Sequence, residues 1–386
     1  MKKTLLAAAL MSAVGASYAQ SGSVTLYGIV DTGYEVTNTK QETYTEATKT
    51  TTSTKNRKTG LKSGGLAGPR VGFRGEEPLG NGLSATFNLE MGFNSTTGAF
   101  ASPYKGSTGF TRRSIVGLKG AFGHLNLGLN NTAVDNFAMD IQGNIRESFV
   151  TGKAVGTFYT GKFGGLSVEA FAAHNRDSQT NTNGIKVEDN FSEFGYGAGL
   201  KYAAGPFSIS AAAQQFRGGK VGRHPVTGVE TSNSRTRRDE YGVAANYKLG
   251  DTRFVTHYVA VKASPYHSGA YSRWEHANFG VEHKMGNATL VAEVGRNRAK
   301  ALNNTAVLGD YAKPVSGFGG DFRVKGAGTN FVVGANYAFS KRTDVYVRVG
   351  RKKAMNASVY NANNGALLGK VKGRMDYAFA GLRHRF

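Results

Sequence analysis

Asp31-Thr32-Gly33, reached through an apolar run, has the form of an acid-protease triplet. That chemistry needs two carboxylates sharing a proton at about 3 Å, and a matching second triplet is missing from the chain. Glu76-Glu77 offers two carboxylates side by side. Adjacent strand residues point to opposite faces, so these two do not converge on one substrate. The eight histidines show no His-x-x-x-His or similar ligand spacing, which argues against a metal site. Cysteine is absent, so thiol catalysis and thiolate metal sites fall away. No catalytic residue, cofactor site or metal site is expected. What the residue types do offer is charge. Lys and Arg number 48 against 26 Asp and Glu, a formal net charge of +22. Such an excess calls for acidic partners: nucleic acid, anionic lipid or small anions.

The N-terminus narrows the choice. Lys2 and Lys3 are followed by an apolar stretch from Leu5 to Gly15 and by Ser17-Tyr18-Ala19. A short basic region, an apolar core too short to span a bilayer and small residues before a cleavage point make a secretory leader. Residues 1–19 are expected to be a signal peptide cut after Ala19, leaving 20–386 as one domain. Export argues against nucleic acid as a partner and leaves lipid and small anions.

Nothing after the leader reads as a membrane helix. The elements read instead as strands. Phe194, Tyr196, Ala198, Leu200 and Tyr202 alternate with Gly195, Gly197, Gly199 and Lys201. Tyr241, Val243, Ala245 and Tyr247 do the same, as do Val345, Val347 and Val349. One face is greasy and the other small or charged, at strand period. A sandwich would bury the greasy face; a membrane barrel turns it out to lipid. Mean hydropathy of −0.35 fits either.

The connections discriminate. Short turn signals stand at 80–82, 121–124, 163–165, 203–206, 249–251, 285–287 and 340–343. Long polar stretches lie between them at 38–65, 94–108, 131–153, 177–193, 218–238, 264–272, 300–326 and 354–371. Short and long alternate strictly, and fifteen connections make about sixteen strands. Outer-membrane barrels have this asymmetry, with short periplasmic turns and long external loops. A β-propeller shares the roughly forty-residue period, but Gly-His and Trp-Asp repeats are missing and the single tryptophan, Trp274, precedes Glu275. The chain ends on a strand-like Tyr377–Phe386 with an aromatic terminus.

Several segments then resemble a known family. Val24-Thr25-Leu26-Tyr27-Gly28-Ile29-Val30-Asp31 resembles the first strand of Gram-negative general porins, especially the betaproteobacterial branch. Arg70-Val71-Gly72-Phe73-Arg74-Gly75-Glu76-Glu77 with Leu79-Gly80-Asn81-Gly82-Leu83, Arg112 to Gly120, and Gly381 to Phe386 are similar as well. The resemblance implies an all-β fold: a sixteen-stranded antiparallel transmembrane barrel in the outer membrane, with an inward-folded third external loop forming a constriction. It also implies a homotrimer. Its partners would be lipopolysaccharide, the barrel assembly machinery, and the small anions and hydrophilic solutes that pass through. Tyr377 and Phe386 are read as the assembly signal.

The family pattern places Arg70 on the channel wall, and alternation agrees, since Val71 and Phe73 take the lipid face. Glu90 matches a carboxylate on the third strand. The motif names Arg112 as the next wall arginine, whereas alternation with Ser114, Val116 and Leu118 points Arg113 inward; a β-bulge could reconcile the two. The third loop, about Asn131 to Lys153, carries Asp135, Asp140, Arg146, Glu147 and Lys153. Where family members often have an arginine before this loop, this chain has Leu129. Basic groups on a narrow, low-dielectric wall concentrate anions, so weak anion preference is expected. Alternatively, external residues such as Lys49, Lys55, Arg57, Lys58, Arg235, Arg237 and Arg238 pair with lipopolysaccharide phosphates. A substrate-specific channel would show an aromatic track to the constriction, which is not evident. An adhesin or a hydrolase on a barrel scaffold are the remaining alternatives.

Overall fold

The computed structural model describes residues 23–100, 109–138, 150–174, 178–182, 185–189, 194–218, 221–223, 230–233, 235–265, 268–304 and 321–386. The leader, Asp140, Arg146 and Glu147 lie outside the described residues.

Sixteen antiparallel strands close into a barrel. They are β1 (Ser23–Thr45), β2 (Thr50–Ser63, resuming as Arg70–Gly80), β3 (Leu83–Gly92), β4 (Arg113–Gly120) and β5 (Gly123–Asn131). Then come β6 (Lys153–Phe163), β7 (Leu166–Ala173), β8 (Phe194–Ala204), β9 (Phe207–Gly218) and β10 (Thr236–Leu249). The last six are β11 (Thr252–Pro265), β12 (Tyr271–Met285), β13 (Ala288–Leu302), β14 (Phe322–Ala338), β15 (Thr343–Asn361) and β16 (Leu367–Arg385). Each pairs with its sequence neighbours, and β16 pairs with β1 from Ile29↔Arg385 to Thr45↔Gly369. Closure leaves no open edge in a medium that offers backbone groups no hydrogen bonds. Phe386 completes the seam. Its N–H donates to Gly28 O at 3.1 Å and its carbonyl accepts from Gly28 N at 3.0 Å. A β-carbon on Gly28 would sit 2.3 Å from the Phe386 ring.

The burial pattern is that of a protein turned inside out. Leu127, Leu200, Val243, Phe279, Val333 and Leu382 are all about half exposed. Their alternates Asn126, Gly199, Gly242, Gly280, Val332 and Gly381 face the lumen, and most of these are buried. Greasy side chains therefore form the outer belt, as lipid requires.

Strand length is uneven. β3 to β7 run from 8 to 11 residues, whereas β10 to β16 run from 14 to 19. One wall is thus much taller than the other. Much of the polar 38–65 stretch, expected as a loop, is instead a hairpin. Thr32↔Ser63 to Thr45↔Thr50 pair in unbroken register around a turn at 46–49. The connections after β7 and β9 carry a small sheet of their own, built from Ser178–Thr182, Ile185–Asp189, Val221–Arg223 and Glu230–Asn233.

β2 is interrupted. Its first half pairs with the outer part of β1 and its second half with Ser23–Ile29. Between them, residues 64–69 leave the ladder and place Leu66 against Val332, Tyr346, Tyr377 and Phe379 on the lumen side. Asp31, fully buried, holds the segment. Its carboxylate accepts from Leu66 N at 2.9 Å, Ala67 N at 2.7 Å and the Tyr346 hydroxyl. A β-carbon on Gly65 would lie 2.2 Å from the Tyr346 hydroxyl, so only glycine fits.

Candidate functional site

Arg70 opens the second half of β2, immediately after that interruption. Its Nη1 lies 3.7 Å from Glu90 Oε1, and its Nε donates to Gly68 O at 3.1 Å. Glu90, on β3, is the hub. Arg112 Nε donates to Glu90 Oε1 at 2.6 Å, and the Tyr27 hydroxyl donates to Oε2 at 3.1 Å. The Tyr27 hydroxyl also reaches Asn88 Oδ1 at 2.8 Å, and the Arg74 guanidinium lies 5.4 Å from the Tyr27 ring centre.

The conflict between Arg112 and Arg113 dissolves without a bulge. Arg113 begins β4 directly across from Glu90 and lines a lumen cavity of about 480 Å³ with Arg74, Asn88, Asn126 and Glu169. Arg112 sits in the bend just before the strand, where alternation does not apply, and its N–H donates to Glu90 O at 3.1 Å. Both arginines face the lumen. Lys153, first in β6, donates from Nζ to Thr111 O at 2.7 Å. Glu90 and Asp135 are the carboxylates near its ammonium, with Arg112 and Arg113 the neighbouring cations. The structure thus gathers Arg70, Glu90, Arg112, Arg113, Asp135 and Lys153 from β2, β3, β4, β6 and the start of the third long connection.

That connection joins two adjacent strands, β5 and β6, yet its described ends touch distant ones. Val134 N donates to Gln214 Oε1 at 3.1 Å on β9, and Ser210 Oγ donates to Phe137 O. Asn136 Nδ2 donates to Glu169 Oε2 at 2.7 Å on β7. At the other end Thr151 N and Oγ1 donate to the Glu240 carboxylate on β10, at 2.8 and 2.7 Å. Val134, Phe137 and Ala138 pack with Phe158, Phe171, Ala212 and Phe216. These phenylalanines are an inward-facing stack, with centroids 5.5 and 5.9 Å apart, that inspection of the sequence did not find. At 1–5% exposure they are covered, so they line no aqueous track.

Two expectations are refined. Leu129 pairs with Ser114 and Val155 on the face of Leu127, so it is not a lumen position; Asn130 beside it lines the cavity. Tyr377 and Phe386 lie on opposite faces. Tyr377 is in the inward cluster with Leu66, while Phe386 shares the outward phase of Leu382 and closes the seam. Asp31, Glu169 and Glu240 were not anticipated as anchors. The Gly64-Gly65…Gly68-Pro69 run, four breaker residues within a strand, was the signal for the first.

The family model for Gram-negative porins matches residues 6–357. The chain belongs to the Gram-negative porin family. It is a protein of the outer membrane, and porins are passive channels rather than enzymes. An outer membrane porin protein of Bordetella pertussis is 29% identical to the chain over 242 residues, covering 56% of the chain and 60% of that porin. Among solved structures, an anion-selective porin from Comamonas acidovorans superposes with a TM-score of 0.62 at 21% identity. It covers 95% of this chain and 100% of its own. The trimer form of Vibrio cholerae OmpT gives 0.59 at 16% identity, over 95% and 100% of the two chains.

Proposed function

We propose that this porin is a general diffusion channel for small hydrophilic solutes with a weak preference for anions, acting as a homotrimer. The observation that carries the reading is the grouping of Arg70, Arg112, Arg113 and Lys153 around Glu90 on one stretch of lumen wall. The four cations outnumber the carboxylates beside them, Glu90, Asp135 and Glu169. In a narrow pore with low-dielectric walls that surplus raises local anion concentration. The third connection is read as folding into the lumen opposite these cations, supported by the tethers of Val134, Phe137 and Thr151 to β9 and β10. Asp140 belongs to that connection in sequence and lies outside the described residues. Tyr377 and Phe386 are read as the signal taken up by the assembly machinery, after loss of the leader. The trimer reading rests on the family and the OmpT likeness. The test is the zero-current potential of the protein in a planar bilayer under a KCl gradient. A modest anion preference with non-saturating sugar and dicarboxylate flux supports the reading. A clear cation preference overturns the selectivity, and saturable block at low solute concentration replaces the general channel with a specific one.

A further inference from the structure

The lumen cavity of about 480 Å³ holds polar groups that the cluster around Glu90 does not use. Glu169 on β7 enters it from between Thr160 on β6 and Gly199 on β8. Its Oε2 accepts from Asn136 Nδ2 at 2.7 Å, whereas its Oε1 is buried without a hydrogen-bond partner. The residue as a whole is only 5% exposed. Asn126 Oδ1 on β5, lining the same cavity, is buried and unpartnered as well. Buried acceptors without donors are rare, because the hydration they give up is not replaced.

The cavity also offers donors. Arg74, on the second half of β2, is opposite Thr25 and Asn88, and Arg113 opens β4 opposite Glu90. Among the described residues neither guanidinium forms an ion pair. The neighbouring carboxylates have other cations: Glu76 pairs with Lys119 at 3.0 Å and Glu90 with Arg112 at 2.6 Å. Arg113 and Asp135 are the charges whose fields reach Glu169. Arg113 and Glu169 are thus near enough to act on each other and too far apart to pair. Ile115, apolar yet on the lumen phase of β4, lines the cavity beside them.

We propose that this cavity is a solute subsite for an α-amino acid, its ammonium donating to Glu169 Oε1, its carboxylate held by Arg74 and Arg113, and its side chain resting on Ile115. A zwitterion carries opposite charges a few bonds apart, which suits a carboxylate and a guanidinium separated by a gap. Both contacts are charge-assisted, the stronger kind of hydrogen bond. A dicarboxylate would set its second anion against Glu169, a diamine its second cation against the arginines, and a sugar would leave both charges unanswered. The subsite rests on the channel reading above and names one class of solute within it.

The experiment titrates detergent-purified protein with L-valine, with isovalerate, which lacks the ammonium, and with isobutylamine, which lacks the carboxylate, by saturation-transfer NMR. The wild type is expected to bind valine about tenfold more tightly than either probe. E169Q is expected to lose the preference for valine over isovalerate while keeping that over isobutylamine. R74Q is expected to weaken the preference over isobutylamine and keep that over isovalerate. Loss of each preference at its own end distinguishes contact with the solute from a general disturbance of the wall, and a heat-modifiable barrel band shows that each variant is folded. Equal binding of valine and isovalerate by the wild type, or an undiminished preference in E169Q, overturns the proposal. Arabinose-driven swelling of liposomes holding the wild-type protein reports on the channel separately. Swelling without valine preference removes the subsite alone, and no swelling removes the channel reading.

Discussion

Glu90 is shared by two guanidiniums and a phenol, so its charge sets what the lumen wall presents to an ion. One unit charge at 4 Å is worth about 1 kcal/mol even at the dielectric of water, or about fivefold in local ion concentration. Glu90→Gln keeps one oxygen acceptor for Arg112, sets an amide donor beside the Tyr27 hydroxyl, and removes the counter-charge. Its zero-current potential in a KCl gradient is expected to move toward stronger anion preference, by up to about fivefold in permeability ratio. Arg112→Gln is expected to move it the other way. Asp31 poses a stability question instead. Replacing it with alanine strips the acceptor from Leu66 N, Ala67 N and the Tyr346 hydroxyl. Each buried donor left unpaired costs about 1–3 kcal/mol. The heat-modifiable transition on gels is therefore expected at a clearly lower temperature in Asp31→Ala, and at an intermediate one in Asp31→Asn.

At the level of elements, the third connection is held at both ends by strands it does not adjoin. Glu240→Ala removes the carboxylate that holds Thr151 N and Oγ1 and takes one of the partners of Gln214, whose Nε2 donates to Glu240 at 2.6 Å and to Thr151 O at 3.1 Å. Single-channel records of this variant are expected to show greater open-channel current noise, and its thermal transition to fall, because Thr151 N, Gln214 Nε2 and Arg238 Nε lose a buried acceptor. Unchanged noise would remove the connection from the conduction path. The strands themselves were legible in the sequence because lipid imposes a strict apolar period on Phe194–Tyr202 or Val345–Val349. The 38–65 hairpin was not, because beyond the lipid neither face has to be apolar and the period fades into threonine and lysine. Arg70 was legible through a regular strand, and Arg113 through alternation. Arg112 reaches Glu90 from a bend, where alternation has no force. The anchors Glu169 and Glu240 are set by contacts between segments 33 and 89 residues apart, which no local pattern encodes.

For the molecule as a whole, closure depends on β16 meeting β1 from Ile29↔Arg385 to Thr45↔Gly369. Phe386 supplies two backbone hydrogen bonds to Gly28 and a ring laid on it. Removal of Phe386 is expected to reduce the folded fraction recovered from the outer membrane while the surviving barrels conduct normally. Folding yield equal to that of the full chain would show that the seam closes without it. The tall wall has a further consequence. The β1–β2 hairpin carries fourteen paired residues up from Thr32 to a turn at 46–49. A foreign peptide spliced into that turn would ride above the cell surface on a ready-made stalk, with the pore and the membrane belt untouched below. The same porin could thus serve as a scaffold for surface display, read out by antibody binding to whole cells.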